Sequence, residues 1–340
     1  MTEAELSGKM KDPRAQKRNL VMFSGITVLV LSLFTAMVLG TANTTFTDLY
    51  NVFVNPQNTE SYRILYHIRI PRVLTCMFAG VNLAIAGCIL QGVLKNPLAD
   101  PGIIGVSAGA GLAAMIVMIV FPQHTAIVPI VAFVGAMVAT MILFMLAWEN
   151  GIQPLKLILA GVAVSAFFAG GMTCLMVFFS DKIQGTVNWM AGGFSGASWK
   201  HVTMILPYTV IGLLGATIGC RYLNALQLGD DVAKSLGTRV ETARFLLVTL
   251  AALLAASAVS VAGMLTFVSL IVPHMMRLVV GSDFNYLLPS SAIFGGILLI
   301  VADTVARTAF QPIEVPVGVF MSFIGAPFFL YLLKRGMQKR

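Results

Sequence analysis

The chain has 340 residues, 58% of them hydrophobic and only 11% charged, with a mean hydropathy of +0.88 and a formal net charge of +8. A soluble domain carries about 25% charged residues. A water-soluble globule of this length is therefore excluded, and a polytopic membrane protein is implied.

Residues 1–18 are polar and basic and are expected to form a mobile tail. Charge-free windows follow at 19–47, 73–94, 102–148, 157–180, 201–220, 245–276, 284–302 and 315–333. A membrane span needs about 20 apolar residues. The window 102–148 is long enough for two helices, with a break at Phe121-Pro122-Gln123. Residues 245–276, continued to Gly281, also predict two, broken near Ala262-Gly263. The total is ten spans. The eighth, 265–280, is the weakest because it carries Pro273, His274 and Arg277. The first window is too long for a signal-peptide core and reads as a retained span. The expected fold is an all-α membrane helical bundle over residues 19–335, with short tails at 1–18 and 336–340.

Ten spans place both termini on one side. Both ends are basic, so the positive-inside rule assigns them to the cytoplasm. With that orientation sixteen Lys and Arg lie inside. Six lie outside: Arg63, Arg69, Arg72, Lys182, Lys200 and Arg307. The net charge thus follows topology and is no nucleic-acid footprint.

Two outer connections stand out. Residues 42–62 contain Asn55-Pro56-Gln57-Asn58-Thr59. Residues 181–200, DKIQGTVNWMAGGFSGASWK, are rich in Gly and Ser yet carry Trp189 and Trp199. Tryptophan favours the membrane–water interface, so a short helix and turn along the outer surface is expected.

Several motifs have bland readings. GVSAG, starting at Gly105, has the form of a nucleophile elbow, but it opens an apolar helix where no sheet is expected; helix packing by small residues accounts for it. Gly215 and Gly219 invite the same reading. The four histidines, His67, His124, His201 and His274, show no metal spacing, and His274 after Pro273 suggests a kinked, packed helix end. The four cysteines, Cys76, Cys88, Cys174 and Cys220, read as small buried hydrophobes. No phosphate loop is present, so no ATP site of that kind belongs to this chain. Asp303 and Arg307, four apart, suggest a local ion pair. In KNPLADPGIIG, two Xaa-Pro steps mark a sharp inner corner, and Asp100 is placed to cap a helix starting at Pro101. Arg69, Arg72 and Arg307 either snorkel to lipid phosphates or form a patch for an acidic partner.

The segment QLGDDVAKSLGTRVETAR, residues 227–244, holds six charged side chains between two apolar windows. Leu228-Gly229-Asp230-Asp231 reads as a turn with an acidic cap. Val232, Ala233, Leu236 and Val240 give an irregular apolar face, and Gly237 would divide the segment into two short helices. Such an element is not stable alone. It rests either on lipid headgroups or on a cytoplasmic protein.

Four motifs in order, from RIPRVLTCMFAGVNLAIAGCILQGVLKNPLADPGIIGVSAGAG through LGDDVAKSLG and FVSLIVPHMMRLVVGSD to VPVGVFMSFIGAPFFLYLLKR, resemble the FecCD-type permeases. These are membrane subunits of ATP-binding-cassette importers for iron–siderophores, haem and cobalamin. The resemblance covers nearly the whole chain after residue 20. It implies ten helices, a second permease chain, two cytoplasmic ATPase subunits that carry ATP and Mg, an extracytoplasmic substrate-binding protein, and the bacterial cytoplasmic membrane. No cofactor or metal on this chain is implied. Carried onto this sequence, Leu228, Gly229, Asp230, Asp231, Ala233, Lys234, Leu236 and Gly237, within a loop at about 223–242, would couple to the ATPase. Arg69, Arg72 and Arg307 would meet acidic residues of the binding protein. Trp189, Met190, Gly192 and Ser195 would flank the outer gate, and Gly161, Gly170 and Gly171 would lie on a path-lining fifth span. The implied cargo is an iron(III)–siderophore complex, with haem or cobalamin as the alternative. An ion-coupled carrier finds no support in the scarcity of midplane acids.

Overall fold

A computed structural model describes residues 15–40, 44–55, 59–149, 153–311 and 313–337. The tail through residue 14, positions 56–58 of the first outer loop and residues 338–340 lie outside the described residues. Among the described residues the elements are helices: α1 (Ala15–Val38), α2 (Phe46–Val54), α3 (Glu60–Arg63), α4 (Ile70–Val93), α5 (Val106–Val120), α6 (Val128–Ala147), α7 (Pro154–Phe178), α8 (Gln184–Ala191), α9 (Trp199–Gln227), α10 (Asp230–Ser235), α11 (Val240–Ala262), α12 (Val268–Val280), α13 (Phe284–Thr308) and α14 (Val317–Met337). A π-helical turn, Ile64–Arg69, joins α3 to α4 without a break.

Among the described residues seven helices are long and apolar enough to cross a membrane. Three shorter apolar ones, α5, α12 and the apolar stretch of α14, fall in the other expected windows. The two breaks read from the sequence are present: a 3₁₀ turn at Pro122–Ile127 and a non-helical step after Ala262. Pro273 lies inside α12, so His274 sits within a helix and not at its end. The first outer connection holds a helix that the charge pattern does not announce. Thr45 and Asp48 form a reciprocal capping box at the start of α2.

α4 runs through the centre of the bundle, packed by α9, α11, α12 and α13. Close approach there depends on glycine. A Cβ on Gly80 would collide with the Gly295 carbonyl, and one on Gly87 with that of Ser269. Gly109 of the GVSAG stretch packs against Gly135, which is helix crossing as expected. Two buried amide side chains of α4 donate across the core. Asn82 Nδ2 donates to Ser257 Oγ at 2.9 Å, and Gln91 Nε2 to Ser269 O at 3.1 Å. Cys76, Cys88 and Cys220 are buried; Cys174, on α7, is exposed. The charge asymmetry defines the outer and inner ends of the bundle.

Candidate coupling, docking and path sites

At the inner end, Gly229 (φ +110°) and Gly237 (φ +80°) fix the length of α10. Gly229 turns the chain out of α9 in a conformation other residues rarely adopt. Gly237 closes α10: its N–H donates to Lys234 O and that of Thr238 to Ala233 O, satisfying the last carbonyls. The second short helix expected after Gly237 does not form. Residues from Val240 onward are the first turns of α11, because they continue an apolar span that rewards extension.

Asp230 anchors α10 to the bundle. It accepts from Arg244 Nη2 at 2.7 and 2.9 Å and from Lys95 Nζ at 3.0 Å. Partial burial works against its charge, but the bonds from Arg244 and Lys95 outweigh this and hold the carboxyl below its ordinary range. Ala233 and Val240 face inward and are buried. Leu228, Val232 and Leu236 stand 62%, 45% and 64% exposed at four-residue spacing. The expected irregular apolar face thus separates into a buried half and a solvent-facing row. Asp231 and Lys234 flank that row in the open.

Asp100 does not cap a helix at Pro101. Residues 101–105 are turns, and α5 starts at Val106 after Gly105 in the left-handed region. The Asp100 carboxylate accepts from the Gly102 N–H at 2.6 Å and from the Ser269 hydroxyl, tying the corner to α12. Burial pushes that carboxyl up, against the pull of these two bonds.

Of the outer arginines, Arg69 and Arg307 are buried, Arg72 is partly buried and Arg63 is exposed. Arg69 donates to Met37 O, Val38 O and Thr44 Oγ1, and Arg307 to Ala36 O. Both therefore cap the C-terminus of α1, whose last carbonyls lack helical partners and carry the negative end of the dipole. Arg72 grips Asp303 bidentately, with two 2.9 Å bonds, and Glu314 through a third of 2.9 Å. The Asp303–Arg307 pair read from their spacing is present at 3.8 Å but is secondary to Arg72.

Between α8 and the outer ends of α9, α11 and α13 lies a cavity of about 490 Å³. Trp189, Ser195, His201, Arg72, Asp303 and Glu314 line it. Met190 is half-buried beside it. Gly192 belongs to a junction of three backbones. A Cβ on Gly192 would strike Met264 O, one on Gly263 the Trp189 carbonyl, and one on Gly318 that of Ala191. Gly193 N–H donates to Ala262 O at 2.7 Å and Gly318 N–H to Gly192 O at 3.0 Å. On α7, Gly161 packs on the Ile103–Ile104 backbone and Gly171 on Leu112, while Gly170 faces open space. The structure does not gather these three into one site.

The sequence points in one direction. A profile of the FecCD transport family matches residues 28–335. The chain is 40% identical over 278 residues to the Fe(3+)-citrate import system permease protein YfmE of Bacillus subtilis (strain 168), covering 82% of this chain and 84% of that one. It is 37% identical over 339 residues to the hemin transport system permease protein HmuU of Yersinia pestis, covering 96% and 98%. Its fold matches a proposed metal-chelate type ABC transporter in an inward-facing conformation, with a TM-score of 0.82 and 26% identity over 93% of this chain and 99% of that one. This all-helical bundle, with a short charged helix at one end and three clustered arginines at the other, is matched along nearly its whole length and belongs to the FecCD transport family.

Proposed function

We propose that this chain is the membrane-spanning permease of an ATP-binding-cassette importer for a ferric–siderophore complex, in the cytoplasmic membrane of a bacterium. The observation that carries the coupling part is α10. Val232 on this six-residue helix, with Leu228 before it and Leu236 after it, is exposed at a bundle end where charge places the cytoplasm. Exposed apolar side chains on so short a helix and on both its flanks are explained by a partner that covers them. That partner is the ATPase, which carries ATP and Mg. Its closure would press α10, and the Asp230 contacts to Lys95 and Arg244 would pass the displacement to α4 and α11 as rigid-body motion.

Two such permeases and two ATPases would complete the path. Cargo would arrive from a binding protein at the outer cavity flanked by Trp189, Met190, Gly192 and Ser195. Because Arg69, Arg72 and Arg307 are held by internal partners, they would act on an acidic binding protein through the field of the cluster, three cations against Asp303 and Glu314.

The likeness to an Fe(3+)-citrate permease supports chelated ferric iron as cargo, and the likeness to a hemin permease makes haem the second reading. Uptake of radiolabelled ferric siderophore, with and without this gene, decides between them. Gene-dependent uptake that excess haem or cobalamin does not block is expected. No gene-dependent iron uptake with all subunits expressed would overturn the ferric-siderophore assignment.

A further inference from the structure

The flank of the bundle carries a second cavity, of about 570 Å³, where α9 and α11 part toward the inner end. Gly215 and Gly219 of α9 and Leu247 and Leu250 of α11 form its floor. The Leu250 and Leu247 side chains pack directly on the two glycines, which lack the Cβ atoms that would collide with them, so α9 and α11 close against each other beneath the groove. Its rims, Ile218 and Leu246, are 63% and 59% exposed.

The mouth is cationic. Arg239 and Thr242 line it directly, and both are exposed. Tyr222 lines it as well and carries Arg221, whose guanidinium lies 4.6 Å from the ring centroid and donates to the phenol oxygen at 2.6 Å. Accepting that bond turns the phenol's own proton toward other acceptors. Glu241 neighbours Arg239 in sequence but does not line the groove.

Depth selects the occupant. From Arg239 to Leu250 the helix rises about 16 Å, at 1.5 Å per residue. That is about half of the ~30 Å hydrocarbon core. The groove is therefore polar at headgroup level and apolar down to the midplane, which is the profile of one leaflet. We infer that it is a binding site for one anionic phospholipid of the inner leaflet, with its phosphate between Arg239 and Arg221 and an acyl chain along Ile218, Leu246 and Leu250. Guanidinium groups match phosphate oxygens in pairs, and basic pockets between helices on this side of a membrane favour anionic headgroups. A docked protein would have no use for the apolar depth below the mouth.

The inner-leaflet placement rests on the orientation proposed above. The test reads lipid retention in detergent, so its failure leaves the uptake reading intact. Native mass spectrometry of the assembled permease–ATPase complex, with phosphatidylglycerol and phosphatidylcholine in equal amounts, gives the preference. Wild type is expected to retain the anionic lipid by about ten-fold or more. Arg221→Gln with Arg239→Gln should abolish that preference, while Lys156→Gln at another inner corner should leave it. Equal retention of both lipids by wild type, an unchanged preference in the double variant, or the same loss in Lys156→Gln would each overturn the site.

Discussion

At the outer end, the Asp303 and Arg72 side chains are 4% and 11% exposed and share two hydrogen bonds. At the inner end, the Asp230 and Lys95 side chains are each 38% exposed, and only Arg244, at 3%, is buried. The same chemistry is thus used in two dielectric settings. A buried carboxylate among guanidiniums is costly to remove, because the cations left behind have lost their solvent. A half-exposed one is cheaper to rearrange, because water can take the place of Lys95, while Arg244 keeps its buried position. The outer knot suits a part that must stay fixed, and the inner one suits a part that must move.

The largest effect should separate the two ends in folding. Asp303→Ala is expected to cost about 3–5 kcal/mol, the range for breaking a buried pair, against a total stability of about 5–15 kcal/mol. Asp230→Ala should cost less, about 1–3 kcal/mol, since Lys95 stays solvated and only the buried Arg244 loses an acceptor. Thermal unfolding of the two variants in detergent, followed by size-exclusion, measures this. Equal losses would erase the distinction between a fixed and a movable end.

Next comes activity. Asp230→Lys with Asp231→Lys should insert normally and leave the ATPase turning over, yet cut uptake by about ten-fold or more, a barrier change of about 1.4 kcal/mol. Reconstituted ATPase and uptake assays run in parallel would show it. Uptake at the wild-type rate would mean that α10 transmits nothing through its anchors.

The smallest effect is in pH. A carboxyl held below its ordinary range stabilises the folded form above the unfolded value, about 3.9. It loses that contribution only as pH falls through the folded value. Hydrogen-exchange protection of α10 should therefore be flat from about pH 8 to 5 and decline below about pH 4. Loosening between pH 7 and 5 would show that the anchor is not Asp230.

What the sequence discloses follows from how each interaction is spaced. The helices and their breaks are legible because a span must exclude charge over its full length, which marks every window. The pairing of Arg72 with Asp303 and Glu314 is not, because its partners stand 231 and 242 residues away. The local rule finds Asp303 with Arg307 and so identifies the weaker of the two pairs. The capping of α1 by Arg69 is hidden for the same reason. The turn at Gly229 and the stop at Gly237 are readable, since glycine marks both. That Leu228, Val232 and Leu236 face out while Ala233 faces in is not readable, since both sets are apolar. α4 and α7 make the point at the scale of whole helices. Both are apolar enough to span, yet 83% of the apolar window containing α4 is buried against 28% for α7. Lipid and protein interior accept the same side chains, so hydropathy cannot distinguish them.

The glycine junction at residues 192, 263 and 318 has a mechanical meaning. Where side chains interdigitate, two helices can slide by changing rotamers. Here backbone rests on backbone, and there are no rotamers to change. The end of α8, the end of α11 and the start of α14 therefore form one rigid plate, stitched by the Gly193 and Gly318 N–H bonds. A force that tilts α11 from its cytoplasmic foot must carry the floor of the outer cavity with it, as a lever carries the load bolted to its far end.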